Sequence, residues 1–219
     1  SNGSFSQEGA EEVTNGDFAT DSDWSKNSGA TISGGKANII GDGTFFTNIS
    51  QPGVFTSGKQ YKVTVDVTIN SGLGLKFQDG ALDEAIGFAT TSGSYTFYFS
   101  ATTGTALTIG RRVGGTPFDS SIDNISVKEV GQDWILEDGW SIGENKATFD
   151  KTIGGAGNIN QNNTLVAGKN YKLTFDTLET NGGNIAYKFG SGFTFISNIQ
   201  ANTTHTFYGT SAGAQFTLR

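Results

Sequence analysis

A ten-residue stretch that occurs twice does most to limit what this chain can become. Gly58-Lys59-Gln60-Tyr61-Lys62-Val63-Thr64-Val65-Asp66-Val67 returns as Gly168-Lys169-Asn170-Tyr171-Lys172-Leu173-Thr174-Phe175-Asp176-Thr177. Tyr61, Val63, Val65 and Val67 alternate with Lys62, Thr64 and Asp66. That is the period of a strand with one apolar and one polar face. Gly58-Lys59 reads as the turn that enters it. The same offset of 110 (168 − 58) relates Trp24 to Trp134, Ile32 to Ile142, Gln51 to Gln161 and Thr96-Phe97-Tyr98 to Thr206-Phe207-Tyr208. A repeat this long is a domain written twice rather than a solenoid unit.

The 219 residues suffice for two β domains, and 32 glycines with only two prolines suit short strands joined by tight turns. Alternation predicts strands at 13–19, 30–32, 36–40, 45–49, 61–69, 73–77, 95–100, 106–111 and 121–130. The one candidate for a helical turn is 81–85, too short to stand alone. The expected fold class is all-β: two tandem antiparallel β-sandwich domains of jelly-roll type. The expected organisation is an N-terminal arm at 1–12, a first copy at 13–130 and a second at 131–219.

The copies differ at their ends. The first closes with Ile122-Asp123-Asn124-Ile125-Ser126-Val127, whereas the second stops at Arg219, level with Ile109 or Gly110. The second is therefore expected to lack a closing edge strand, as a fragment of a longer protein or as a domain completed from elsewhere. Its opening is displaced too, because the positions matching 15–20 already close the first copy. Asn2-Gly3-Ser4-Phe5 echoes Asn15-Gly16-Asp17-Phe18. The arm of a neighbouring copy is thus a candidate strand donor.

The net charge is −7 and the basic residues are scattered, so the footprint for nucleic acid or an anionic membrane is missing. No apolar run is long enough to insert in a bilayer. Residues 1–12 are polar and are not expected to act as a signal peptide. With no cysteine, disulfides and thiolate metal sites are excluded.

Asn15-Gly16-Asp17-Phe18, Trp24, Gly58-Lys59-Gln60-Tyr61 and Ile122-Asp123-Asn124-Ile125-Ser126-Val127 together resemble the jelly-roll carbohydrate-binding modules of xylanases and glucanases. More narrowly, the run from Glu12 to Trp24 with Ile32-Ser33-Gly34-Gly35-Lys36-Ala37 resembles repeats in structural and tail proteins of marine bacteriophages. The resemblance implies a β-sandwich, often a structural calcium ion, and often a glycan groove on one sheet. It implies a non-catalytic virion appendage, tail or capsid, outside the cell. Its partners would be other virion proteins, copies of itself and host-surface glycan. The alternative is a carbohydrate-binding module of a secreted polysaccharide-active enzyme.

Calcium takes oxygen ligands, and Asp17 and Asp123 would meet if the first and last strands pair as in that family. The competing reading gives both aspartates to turns, and Ala19 stands where the family often has an acid. For glycan, aromatic rings stack on sugar faces while amides and charges bond hydroxyls. Candidates are Phe46, Gln51, Phe77, Phe88, Arg111 and Arg112 in the first copy, and Gln161 and Tyr187 in the second. Core packing competes for the aromatics. For the two glutamines the competing role is pinning a loop. Trp24 and Trp134 are expected to plug the sandwich ends.

Catalysis is not expected. The single histidine, His205, matches Tyr95 of the first copy, which suits packing rather than a general base. No nucleophile elbow, phosphate loop or zinc spacing occurs.

Overall fold

The computed structural model describes residues 3–5, 7–80, 85–102, 104–153, 155–180, 183–196 and 199–219. The candidate helical turn at 81–85 lies outside them except for Ala85. Every regular element among the described residues is a β-strand. The chain separates into two compact units. The N-terminal unit is Phe5–Gln132 with Ile142–Lys146; the C-terminal unit is Asp133–Ser141 and Ala147–Arg219, with residues 3–4.

The strands of the first copy are β1 (Glu8–Glu11), β2 (Ser25–Asn27), β3 (Ala30–Ser33), β4 (Lys36–Gly41), β5 (Asn48–Gln51), β6 (Gln60–Ser71), β7 (Leu75–Asp79), β8 (Ala85–Ala89), β9 (Gly93–Ser100), β10 (Leu107–Arg111) and β11 (Phe118–Val130). They form two antiparallel sheets. One runs β3-β4-β11-β6-β9, with β1 also paired to β11; the other runs β2-β5-β10-β7-β8. Ile39, Val63 and Ile122 from the first sheet and Ile49, Phe77 and Ile109 from the second are all within 1% of full burial. They belong to one hydrophobic core, so this unit is a β-sandwich. Alternation found β3, β4, β6, β7, β9 and β10 closely. It missed β1, β2 and β8, which are short and lack a clean apolar face.

Two corrections concern the ends. The expected opening strand at 13–19 is instead a turn, with Asn15 at φ 51° and Phe18 at φ 49°. The Asn15 amide donates to the Thr20 and Ser22 carbonyls at 2.7 and 3.0 Å. Gly16 is obligatory, because a Cβ there would collide with the Ile125 carbonyl. Phe18 fills the space below and packs on Trp24 at 5.4 Å between centroids. The indole of Trp24 donates to the Asn15 carbonyl at 3.2 Å. The Asn-Gly-x-Phe motif is therefore a plug rather than a strand.

The second correction is that the closing strand is central, not an edge. β11 pairs β4 along one side and β6 along the other. Its register with β6 shifts between Asp123 and Ser126, around Asn124 at φ 50°. In a flat strand Ile122 and Ile125, three apart, would face opposite ways. The bulge lets both turn inward, at 1% and 4% exposure.

The second copy supplies β12 (Ile135–Leu136), β13 (Trp140–Gly143), β14 (Lys146–Phe149), β15 (Ile159–Gln161), β16 (Asn170–Thr177), β17 (Ile185–Phe189), β18 (Thr194–Ile196), β19 (Thr203–Thr210) and β20 (Phe216–Leu218). The sheet β12-β15-β20-β17-β18 repeats the order β2-β5-β10-β7-β8. The other strands make two separate two-stranded ladders, β13-β14 and β16-β19.

The duplicated stretch folds alike in both. Gly58 and Gly168 have φ of 82° and 80°, where glycine is free of strain. Their N–H groups donate to Ala101 and Ser211 carbonyls, both at 2.7 Å. The Tyr61 hydroxyl accepts from the Thr56 N–H at 2.9 Å, and Tyr171 from Val166 at 2.7 Å. Gly-Lys-x-Tyr is thus a corner in which the tyrosine ties the incoming loop to the strand it starts.

Candidate functional site

Since Leu75, Phe77 and Ile109 enter the core, the residues between them on the same strands face outward. The registers of the five-stranded sheet of the N-terminal unit align these outward residues into two rows. One runs Asn27–Asn48–Gly110–Lys76–Phe88. The next runs Ser25–Ser50–Thr108–Gln78–Ala85. At about 4.8 Å between strands each row spans roughly 19 Å.

The first row carries the aromatic rings. A Cβ on Gly110 would lie 2.8 Å from the Phe46 ring, so Phe46 lies over this glycine. The Asn48 and Asn27 side-chain amides donate to the Phe46 carbonyl at 3.0 and 3.3 Å, which fixes where the ring emerges. Phe88 is exposed, with the Arg112 guanidinium 5.2 Å from its centroid. The second row carries hydroxyl and amide groups set close to the sheet, Gln78 and Thr108 being buried. The face therefore offers two partly exposed rings with a lysine between them and a polar row beside them.

The C-terminal unit has a related row, Ile135–Asn160–Thr217–Lys188. Thr217 donates to the Asn160 side-chain carbonyl at 2.7 Å. Lys188 and Arg219 lie 5.1 and 5.5 Å from the Phe193 ring.

Of the sequence candidates, Phe46, Phe88 and Arg112 belong to this outer face. Phe77 is fully buried, 5.1 Å from Phe97 between centroids. Tyr187 is buried against Phe189 and Phe207. Gln51 is buried, accepts from the Thr14 N–H at 2.9 Å and donates to the Thr14 carbonyl at 3.0 Å. It pins the opening segment, and Gln161 is buried at the matching position. Arg111 lies on the core side of β10, beneath Gly114. The sequence reading missed Asn48, Lys76, Gln78 and Thr108. The interleaving of polar residues between core residues would have found them.

Asp17 accepts from the Ala19 N–H at 3.3 Å and Asp123 from the Asn124 N–H at 2.7 Å, so each shapes its own turn. Among the described residues no three His, Cys, Asp or Glu side chains gather. Calcium takes six to eight oxygens, and the contacts seen at Asp17 and Asp123 are those of their own turns. The carboxyl groups of Asp42 and Asp66 lie below their usual range through hydrogen bonds, from Thr44 for Asp42 and from Ser94 and then Asn124 for Asp66. Both are structural contacts in turns and strands.

No protein-family model matches the chain, and no curated protein matches it. Among solved structures it is similar to the CBM22-1 xylan-binding domain from Paenibacillus barcinonensis Xyn10C, at 12% identity and TM-score 0.43, over 57% of this chain and 97% of that one. The tandem CBM22-1-CBM22-2 domain of the same protein aligns over 98% of this chain and 90% of that one, at 9% identity and TM-score 0.43. A CBM4 structure aligns over 59% of this chain and 98% of that one, at 17% identity and TM-score 0.32.

Proposed function

We propose that this chain is a non-catalytic glycan-binding module whose binding face is the outer surface of the sheet β2-β5-β10-β7-β8. The carrying observation is the row in which Phe46 and Phe88 flank Lys76, beside Ser50. Rings on a sheet face match the apolar faces of sugars, and the adjacent Ser50 hydroxyl and Lys76 ammonium match their hydroxyls. The chemistry needed is recognition, and among the described residues the face carries no nucleophile paired with a base.

The setting in which such a module works is a bacteriophage virion appendage, in contact with other virion proteins and with host-surface glycan. That setting rests on the opening-motif resemblance alone. Excision from a secreted polysaccharide-active enzyme is the competing setting, and the same face serves it.

A glycan array followed by titration calorimetry on the best ligand tests the binding. Phe88→Ala and Lys76→Ala each weaken it about tenfold, roughly 1.4 kcal/mol, with the melting temperature unchanged. Arg111→Ala leaves the affinity within about twofold, since it lies off the face. Absence of any glycan ligand, or unchanged affinity in Phe88→Ala and Lys76→Ala, overturns the proposal.

A further inference from the structure

The sheet β12-β15-β20-β17-β18 of the C-terminal unit has an outer face of its own, with its charges placed differently from those of β2-β5-β10-β7-β8. Tyr187 and Phe189 are buried against other rings. Ala186 and Lys188, which alternate with them, therefore belong to the outer face. Register sets Phe195 opposite Ala186 and Thr217 opposite Lys188. Arg219 exchanges two backbone hydrogen bonds with Ala186, both at 2.8 Å. Phe195 is 67% exposed and its ring lies 6.4 Å from that of Phe193 between centroids.

The repeat offset shows where the two faces differ. Phe88 pairs with Lys76, and at the matching place Phe195 pairs with Ala186 (76 + 110 = 186). Gly110 faces Lys76, whereas the residue bonded opposite Ala186 is Arg219. Gln78 is matched by Lys188 (78 + 110 = 188). Two cations thus stand where the N-terminal face has a glycine and an amide. Both reach one ring: the Lys188 ammonium is 5.1 Å and the Arg219 guanidinium 5.5 Å from the Phe193 centroid. Like charges repel, yet among the described residues neither cation is in an ion pair. Glu137, beside β12, has its carboxylate engaged by the Asn158 N–H at 3.0 Å and the Asn158 side-chain amide at 2.8 Å. Two converging cations with no carboxylate against them, next to an exposed ring, fit an anionic partner.

We propose that this face binds an acidic sugar, a hexuronic acid residue within a polysaccharide. The pyranose lies on Phe195, and its carboxylate takes hydrogen bonds from Lys188 and Arg219. Donors of this kind are charge-assisted, and the neighbouring ring takes the apolar face of the sugar. Phe193 keeps the two cations gathered while no ligand is bound. The inference rests on the glycan-binding reading for the class of ligand, but it needs nothing bound at the N-terminal face. A sulfated sugar presents the same charge, so the probes separate the two.

The test is titration calorimetry of the intact chain with an oligogalacturonate, an oligomannuronate, the methyl ester of each and a sulfated galactan oligosaccharide. Chemical shifts in nuclear magnetic resonance locate the site. The expected result is binding of a uronate, with its ester weaker by about tenfold or more, and shifts at Phe193, Phe195 and Lys188. Lys188→Gln and Phe195→Ala each weaken uronate binding about tenfold with the melting temperature unchanged, and Lys188→Arg restores most of the affinity. Failure of both uronates to bind overturns the inference, as does equal binding of the esters. Tighter binding of the sulfated probe, or of a single-stranded oligonucleotide, also overturns it. Shifts confined to Phe88 and Lys76 overturn it while leaving the N-terminal reading in place. Shifts at Phe195 with none at Phe88 support it and count against that reading.

Discussion

β6 and β16 begin with the same turn, the same tyrosine corner and nearly the same alternation, yet their inner faces end in different environments. Val63 and Val65 are sealed; Leu173 and Phe175 are half-covered. Local sequence decides that each is a strand and where it starts. Whether its apolar face is buried depends on distant elements, in the first copy the facing sheet and β11 beside it. Propensity and periodicity are local, whereas burial belongs to the neighbours.

Substitutions in the two copies can break or sharpen that contrast, beginning with the largest effect. Phe77→Ala removes a fully buried ring and should cost about 3–5 kcal/mol in urea unfolding. Leu173→Ala should cost about 1 kcal/mol or less, since its side chain is only partly withdrawn from water. Equal losses for Leu173→Ala and Val63→Ala would show that β16 is covered as fully as β6. Gly16→Ala forces a methyl group into the Ile125 carbonyl and should cost about 1–3 kcal/mol. Gly3, its echo, has nothing within 4 Å of a Cβ, so Gly3→Ala should stay within about 0.5 kcal/mol. Gln51→Ala leaves the Thr14 N–H and carbonyl without their partner and should cost about 1–3 kcal/mol.

The smallest effect is electrostatic and confined to the N-terminal unit. The Glu8 carboxyl lies below its ordinary value, chiefly through its hydrogen bond from Lys62, opposed by burial and aided by Lys128. A carboxyl depressed on folding stabilises above its unfolded pKa, and that contribution is lost as pH falls through the folded value. Glu8→Gln should therefore lower the melting temperature slightly at neutral pH and flatten its decline below about pH 4.5. Lys172 matches Lys62 and makes no ion pair among the described residues, so Lys172→Gln should leave the same profile unchanged.

Much of this architecture can be read from residue order. The repeat, the alternation at β6 and β16 and the Gly-Lys-x-Tyr corner all survive in the structure, because each depends on contacts a few residues apart. The opening motif was misread as a strand because hydrophobic spacing does not reveal the positive φ at Asn15 and Phe18. The place of β11 at the sheet centre was hidden for another reason: strand order is a long-range property that its sequence does not state. Among site residues, Phe46, Phe88 and Arg112 could be named as exposed ring and cation chemistry. Phe77 and Tyr187 could not be separated from them, since aromatic residues look alike until their partners are known. Asn48, Lys76, Gln78 and Thr108 come together only through strand registers.

The central position of β11 also sets a schedule for synthesis. A ribosome makes β4 and β6 long before residues 118–130 emerge, so the two must wait with unsatisfied inner edges. Assembly of that sheet then depends on the last strand of the first copy to be translated, in contrast to the other sheet, whose middle strand β10 is already complete. A nascent chain paused before residue 118 should be open to proteases at β6 and closed to them once residue 130 has cleared the exit tunnel.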